Sequence, residues 1–162
     1  MLGEAIRFVL SNLPGFLFVA AFILASALRG PDFFPTRLLR WLLLLSVGVE
    51  NLWFGLFHMI FPNFAASTIG WQVSPFQFEI GAADASLGIV AIVSFWRPLD
   101  FKAAVVFFVT LFYIGVAVGH VHEAIWEGNM APNNFGLLLV LTVVKIFLLP
   151  ALYVGARRQE RR

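Results

Sequence analysis

The sequence predicts an all-α integral membrane bundle of about five transmembrane helices. Three observations predict it: five long apolar runs, too few charges to cover a water-facing surface, and basic residues gathered in alternate connections. Of 162 residues, 60% are hydrophobic and 12% charged, and the mean hydropathy is +0.89. A soluble domain carries roughly a quarter charged residues. The runs are continuously apolar rather than alternating, which argues against a β-barrel. The length suits a single transmembrane domain over 1–162, with no room for a separate soluble module.

A helix needs about 20 apolar residues to cross a bilayer core. The first run, Ala5–Leu28, starts beside Glu4 and Arg7, expected at the interface, and contains Asn12, Pro14 and Gly15, which can bend it. Its end, Ala25-Ser26-Ala27, has the small-x-small form of a signal cleavage site. Retention is expected, because removal would leave Arg29, Arg37 and Arg40 on the wrong side of the membrane. The other runs are Leu38–Phe61, Phe76–Trp96, Ala103–Ile125 and Phe135–Tyr153. Breakers separate them: Gly30-Pro31 with Pro35, then Pro62-Asn63, Pro75, Pro98 and Pro132-Asn133-Asn134.

Lys and Arg mark the cytoplasmic side of a membrane. The first connection holds Arg29, Arg37 and Arg40, the third Arg97 and Lys102, and the tail Arg157, Arg158, Arg161 and Arg162. The second, Pro62–Pro75, has no charge, and the fourth, Trp126–Asn134, has only Glu127. Five spans with the N-terminus outside and the C-terminus cytoplasmic satisfy this alternation. Trp71 and Trp126 then fall at the outer boundary and Trp41 and Trp96 at the inner one. The net charge of +2 and pI near 9.5 are explained by this topology, so no nucleic-acid partner is expected. With no cysteine there is no disulfide, thiolate-held cluster or thiol nucleophile.

An ionisable group deep in a bilayer costs several kcal/mol and is a functional candidate by default. At about 1.5 Å rise per residue these groups form two layers. His58, Glu79, His120, His122 and Glu123 lie near the external face on three different helices, and Glu50, Asp84 and Lys145 lie deeper. In the outer layer, imidazoles and carboxylates suit Fe, Zn, Mn or Cu. His58, Glu79, His120 and Glu123 form the expected ligand set, with His122 as a substitute. His120 and Glu123 carry, in reverse order, the i, i+3 spacing of the Glu-x-x-His element of di-iron bundles. A hydrogen-bonded interfacial cluster is the plainer alternative. A b-type haem held by His58 and His120 or His122 is another. In the deeper layer, Lys145 with Glu50 or Asp84 is either a proton or ion relay or a buried ion pair that fixes helix register. Gly115 and Gly119 form a G-x-x-x-G pair, which predicts close approach of a neighbouring helix. Gly81, Asp84 and Gly88 share a face, which predicts a tight contact at Asp84. Glu79 lies about 140° around the helix from Asp84. No phosphate loop, nucleophile elbow or H-E-x-x-H zinc helix is present.

Three segments carry a resemblance: Trp71-Gln72-Val73-Ser74-Pro75-Phe76-Gln77-Phe78-Glu79-Ile80-Gly81, Gly119-His120-Val121-His122-Glu123, and Asn133-Asn134-Phe135-Gly136. Over about Glu50 to Tyr153 the chain resembles an uncharacterised family of small prokaryotic multi-pass membrane proteins, loosely like DoxX-type proteins. The resemblance implies the fold and draws attention to Glu79, His120 and Glu123, but it implies no activity. The leading functional expectation is a membrane metalloprotein with a His/Glu site near the external face, redox or hydrolytic. The alternatives are an accessory subunit, as a homo-oligomer or with a partner membrane protein, and a proton, ion or small-solute transporter using Glu50, Asp84 and Lys145. The bilayer is the expected environment, and a prokaryotic cytoplasmic membrane the expected location.

Overall fold

The structure, a computed structural model, describes the backbone of residues 2–161 and the side chains of residue 8 and of residues 12–161. The sequence expectation for Glu4 and Arg7 falls on side chains outside the described residues. Six helices account for the regular structure of the described residues. They are α1 (Leu2–Ala27), α2 (Phe34–Ile60), α3 (Pro62–Ile69), α4 (Phe76–Ser94), α5 (Leu99–Trp126) and α6 (Leu137–Glu160). Among the described residues, α2, α4, α5 and α6 are long and apolar enough to cross a membrane, and α1 adds a shorter apolar stretch, Asn12–Ala27.

Prolines set several of the starts. Pro35 and Pro62 sit in the first turns of α2 and α3, where a missing N–H costs nothing. Pro75 and Pro98 immediately precede α4 and α5. Gly70 ends α3 in the left-handed region at φ 79°, and its N–H donates to the Ala66 carbonyl. The expected charge-free connection Pro62–Pro75 therefore contains a short helix. In α6 the helix runs past Tyr153 through Arg157 and Arg158, whose charges suit a helix C-terminus.

Alternate connections gather at opposite ends of the bundle. At one end Arg37 Nε donates to the Ala25 carbonyl at 3.0 Å, the Arg40 guanidinium sits 4.8 Å from the Phe95 ring centroid, and Arg157 pairs with Asp100 at 3.1 Å. This arginine end joins the first connection, the third and the tail. At the other end Asn129 Nδ2 donates to the Ile69 carbonyl at 3.0 Å, and the Asn133 N–H to the Thr68 carbonyl at 3.4 Å. This histidine end joins the second connection and the fourth. Ala21 and Ala25 of α1 are fully buried, so α1 packs as part of the bundle.

The α2–α4 contact is made by facing glycines. A Cβ on Gly55 would meet Ala85 N at 2.5 Å and the Gly81 carbonyl oxygen at 2.6 Å. A Cβ on Gly48 would lie 2.7 Å from the Ile92 side chain, and Gly88 abuts Leu52 and Gly48. Such backbone-to-backbone approach is open only to small residues, and it is a main source of helix association where lipid replaces water. Gly81 and Gly88 make the close contact expected of their face, whereas Asp84, at which it was expected, is half-buried and lines a cavity instead. Towards the arginine end the bundle is solid: Leu39, Leu42, Leu43, Val47, Val109 and Leu149 are fully buried.

Candidate functional site

Between the histidine-end halves of α2, α4, α5 and α6 lies a cavity of about 550 Å³. It exists because α2 is drawn onto α4 by the glycine contact, while α5 presents Gly115 and Gly119 in the opposite wall. Nothing lies within 4 Å of where a Cβ would sit on either glycine. The expected close helix approach at this G-x-x-x-G pair is therefore corrected: the pair has no facing glycine and clears open space instead.

Glu50, Asn51, Asp84, Tyr113 and Thr142 line the end of the cavity nearest the solid core. Lys145, wholly buried behind Glu50, donates from Nζ to Glu50 Oε1 at 2.6 Å and to the Ser46 carbonyl at 2.9 Å. Its ammonium lies 4.9 Å from the centroid of the Tyr113 ring. Asn51 Nδ2 donates to Tyr113 Oη at 2.7 Å and to the Val47 carbonyl at 2.6 Å, linking α2 to α5. Local backbone geometry supplies one of these acceptors. Over Leu42–Val49 α2 widens into π-helical turns, and the Glu50 N–H donates to the Leu45 and Val47 carbonyls. The intervening Ser46 carbonyl, passed over by Glu50, receives the lysine. Wide turns of this kind are frequent where a helix serves a site.

The walls are aromatic and aliphatic. Trp53, Phe54 and Phe57 come from α2, Phe64 from α3, and Phe112 and Val116 from α5. Trp53 and Phe57 rings pack at 4.5 Å between centroids. At the histidine end His58, His120 and Trp71 complete the lining, with the Trp71 and His120 rings stacked at 5.8 Å. His120 is held by a wholly buried residue, Asn134. Asn134 Nδ2 donates to the Asn129 carbonyl at 2.7 Å and the His120 carbonyl at 3.3 Å, which leaves Oδ1 facing His120 Nδ1 at 2.7 Å. An oxygen there requires the proton on Nδ1, so in the neutral ring the lone pair is on Nε2. His58 Nδ1 is buried and has no hydrogen-bond partner among the described residues.

The structure brings some of the sequence candidates together and leaves others apart. His58 and His120 both line the cavity, and so do Glu50 and Asp84. Glu79 is exposed on the first turn of α4, His122 is exposed and stacks on Trp126 at 4.9 Å, and Glu123 is half-buried outside the lining. Among the described residues no three His, Asp or Glu side chains are placed to share a metal ion. Asn134, Tyr113 and the π-helical turns were not singled out from sequence. Asn134 had a signal, its place beside the turn proline Pro132, whereas the widened turns of Leu42–Val49, aliphatic but for Ser46 and Gly48, had none.

Residues 11–162 match the model of a family of unknown function, DUF6790, and the chain belongs to that family. The match reaches well beyond the segments that carried the resemblance, and it brings no DoxX-type assignment with it. No curated protein and no solved structure matches the chain.

Proposed function

We propose that this member of a family of unknown function is an intramembrane binding protein for a small amphipathic molecule. The observation that carries the reading is the cavity: apolar, aromatic walls of ligand-binding size that end on a hydrogen-bonded, charged floor. Small-molecule sites have this build, about 300–1,000 Å³ with a few convergent polar groups. The solid core beyond the floor favours binding over passage, since conduction would require Leu39, Leu42, Leu43 and Val47 to part.

The reading takes five spans, with α1 included, the arginine end in the cytoplasm and the cavity facing outward in a prokaryotic cytoplasmic membrane. The positive-inside rule supports that orientation. A four-ligand metal centre draws less support, because Glu79 and Glu123 stand outside the lining that His58 and His120 share. A haem would bring two propionates to a lining that contains Glu50 and Asp84 and no Lys or Arg.

The chain has no cysteine, so single cysteines test the reading directly. Gly115→Cys lines the cavity without a clash and should react with a membrane-impermeant methanethiosulfonate added from outside. Phe147→Cys, at a position 72% exposed in the middle of α6, should stay unreactive because lipid covers it. Gly30→Cys, at the arginine end with nothing within 4 Å, should react from the cytoplasmic side alone. An unreactive Gly115→Cys in folded protein would sink the cavity reading, and Gly30→Cys labelled from outside would invert the topology.

A further inference from the structure

The charges around the cavity are one-sided. Lys145 is committed to Glu50, which leaves Asp84 as the second acid of the lining with no ion pair or hydrogen bond among the described residues. A carboxylate set among apolar walls calls for a cation or a proton, because an isolated charge there is costly. Trp53, Phe54, Phe57 and Phe112 stand in the same walls, and aromatic faces attract cations, by about 2 kcal/mol or more when desolvated.

The histidine end as a whole carries the same sign. Neither the stretch from Glu50 to Trp96 nor that from Ala103 to Val144 contains a Lys or Arg, while Glu79, Glu123 and Glu127 all lie towards the histidine end. A cleft approached past charges of one sign concentrates ligands of the opposite sign. Carboxylate, aromatic walls and an acidic histidine end are three separate features, and they agree.

We infer that the occupant is a lipophilic cation, an amine or quaternary ammonium, whose charge rests against Asp84 and whose apolar body packs on the aromatic walls. The inference deepens the binding reading and rests on it. Glu50 does not serve as the counter-charge, because Lys145 already holds it. The Glu50–Lys145 pair instead closes the floor between α2 and α6.

The test uses two probes of similar shape and opposite charge, benzyltrimethylammonium and benzylsulfonate, on the Gly115→Cys protein in lipid nanodiscs. The ammonium should slow modification of the cysteine by a neutral methanethiosulfonate about tenfold at saturation, and the sulfonate should leave the rate unchanged. Asp84→Asn in the same background should abolish the protection, and Asp84→Glu should keep most of it. As a readout independent of the variants, the ammonium should raise the Tm of the wild-type protein and the sulfonate should not. Equal protection by both probes, protection that survives Asp84→Asn, or no protection and no Tm shift with the ammonium would overturn the cation. In each of those cases a reactive Gly115→Cys leaves the binding reading standing; an unreactive one removes both.

Discussion

The two halves of this bundle are built from the same long helices and filled in different ways. Towards the arginine end, aliphatic side chains from α2, α5 and α6 close the interior completely. Towards the histidine end, the same helices enclose a cavity with charged groups at its base. Glycine shows what decides between these outcomes. Gly48 and Gly55 of α2 face Gly88 and Gly81 of α4 in matched antiparallel register, and the backbones touch. Gly115 and Gly119 have the more familiar spacing but no glycine opposite, and space opens beside them. A small residue permits close approach; only a partner at the same level produces it.

The largest effect that this comparison predicts lies where the halves meet. Lys145→Met removes one partner of a wholly buried ion pair and strands Glu50, which costs about 3–5 kcal/mol. Reversible unfolding in mixed micelles would measure it. Lys145→Met with Glu50→Leu should recover most of the loss, since replacing both partners with apolar groups removes the stranded charge. A double variant as unstable as the single one would show that the pair's other contacts, above all the lysine bond to Ser46, matter more than its charge.

Next comes the glycine contact. Gly55→Ala places a methyl 2.5 Å from Ala85 N, so α2 and α4 must separate. Overpacking of this kind costs about 1–3 kcal/mol, and here the neighbours are backbone atoms that cannot rotate away. Stability equal to wild type would mean that the two helices are not held as the structure places them. Asn134→Ala tests the other end of the cavity. It leaves the Asn129 carbonyl and His120 Nδ1 without their partner, at a cost of about 1–3 kcal/mol. The freed His120 ring should also change the fluorescence of Trp71, which stacks on it.

Much of the fold was legible because hydropathy and Pro/Gly punctuation act locally. Each expected run contains most of a helix, and the alternation of charged connections matches their gathering at two ends. Depth along the sequence also anticipated that Lys145 would stand level with Glu50. Azimuth was harder to read. Glu79, His120 and Glu123 share a level, but their directions depend on how each helix is rotated in the bundle, and the glycine contact ties down only α2 and α4. The short helix α3 was hidden in a stretch read as a connection, and the π-helical turns of α2 leave no trace in its aliphatic composition.

The smallest predicted effect is the sharpest check on the comparison. Gly115→Ala adds the same methyl as Gly55→Ala, on a helix of the same bundle, at a position where nothing lies within 4 Å. With no clash to overcome, the change should express only the intrinsic preference of a helix for alanine, a gain of up to about 1 kcal/mol. The two substitutions should therefore shift stability in opposite directions. The methyl also occupies cavity space, so bound benzyltrimethylammonium should be weakened several-fold although the protein is no less stable. If Gly115→Ala destabilises as Gly55→Ala does, α5 makes a close helix contact at this face and the cavity is narrower than the structure shows. If stability rises and ammonium binding is unchanged, the ligand lies away from the α5 wall, on the side of α2 and Asp84.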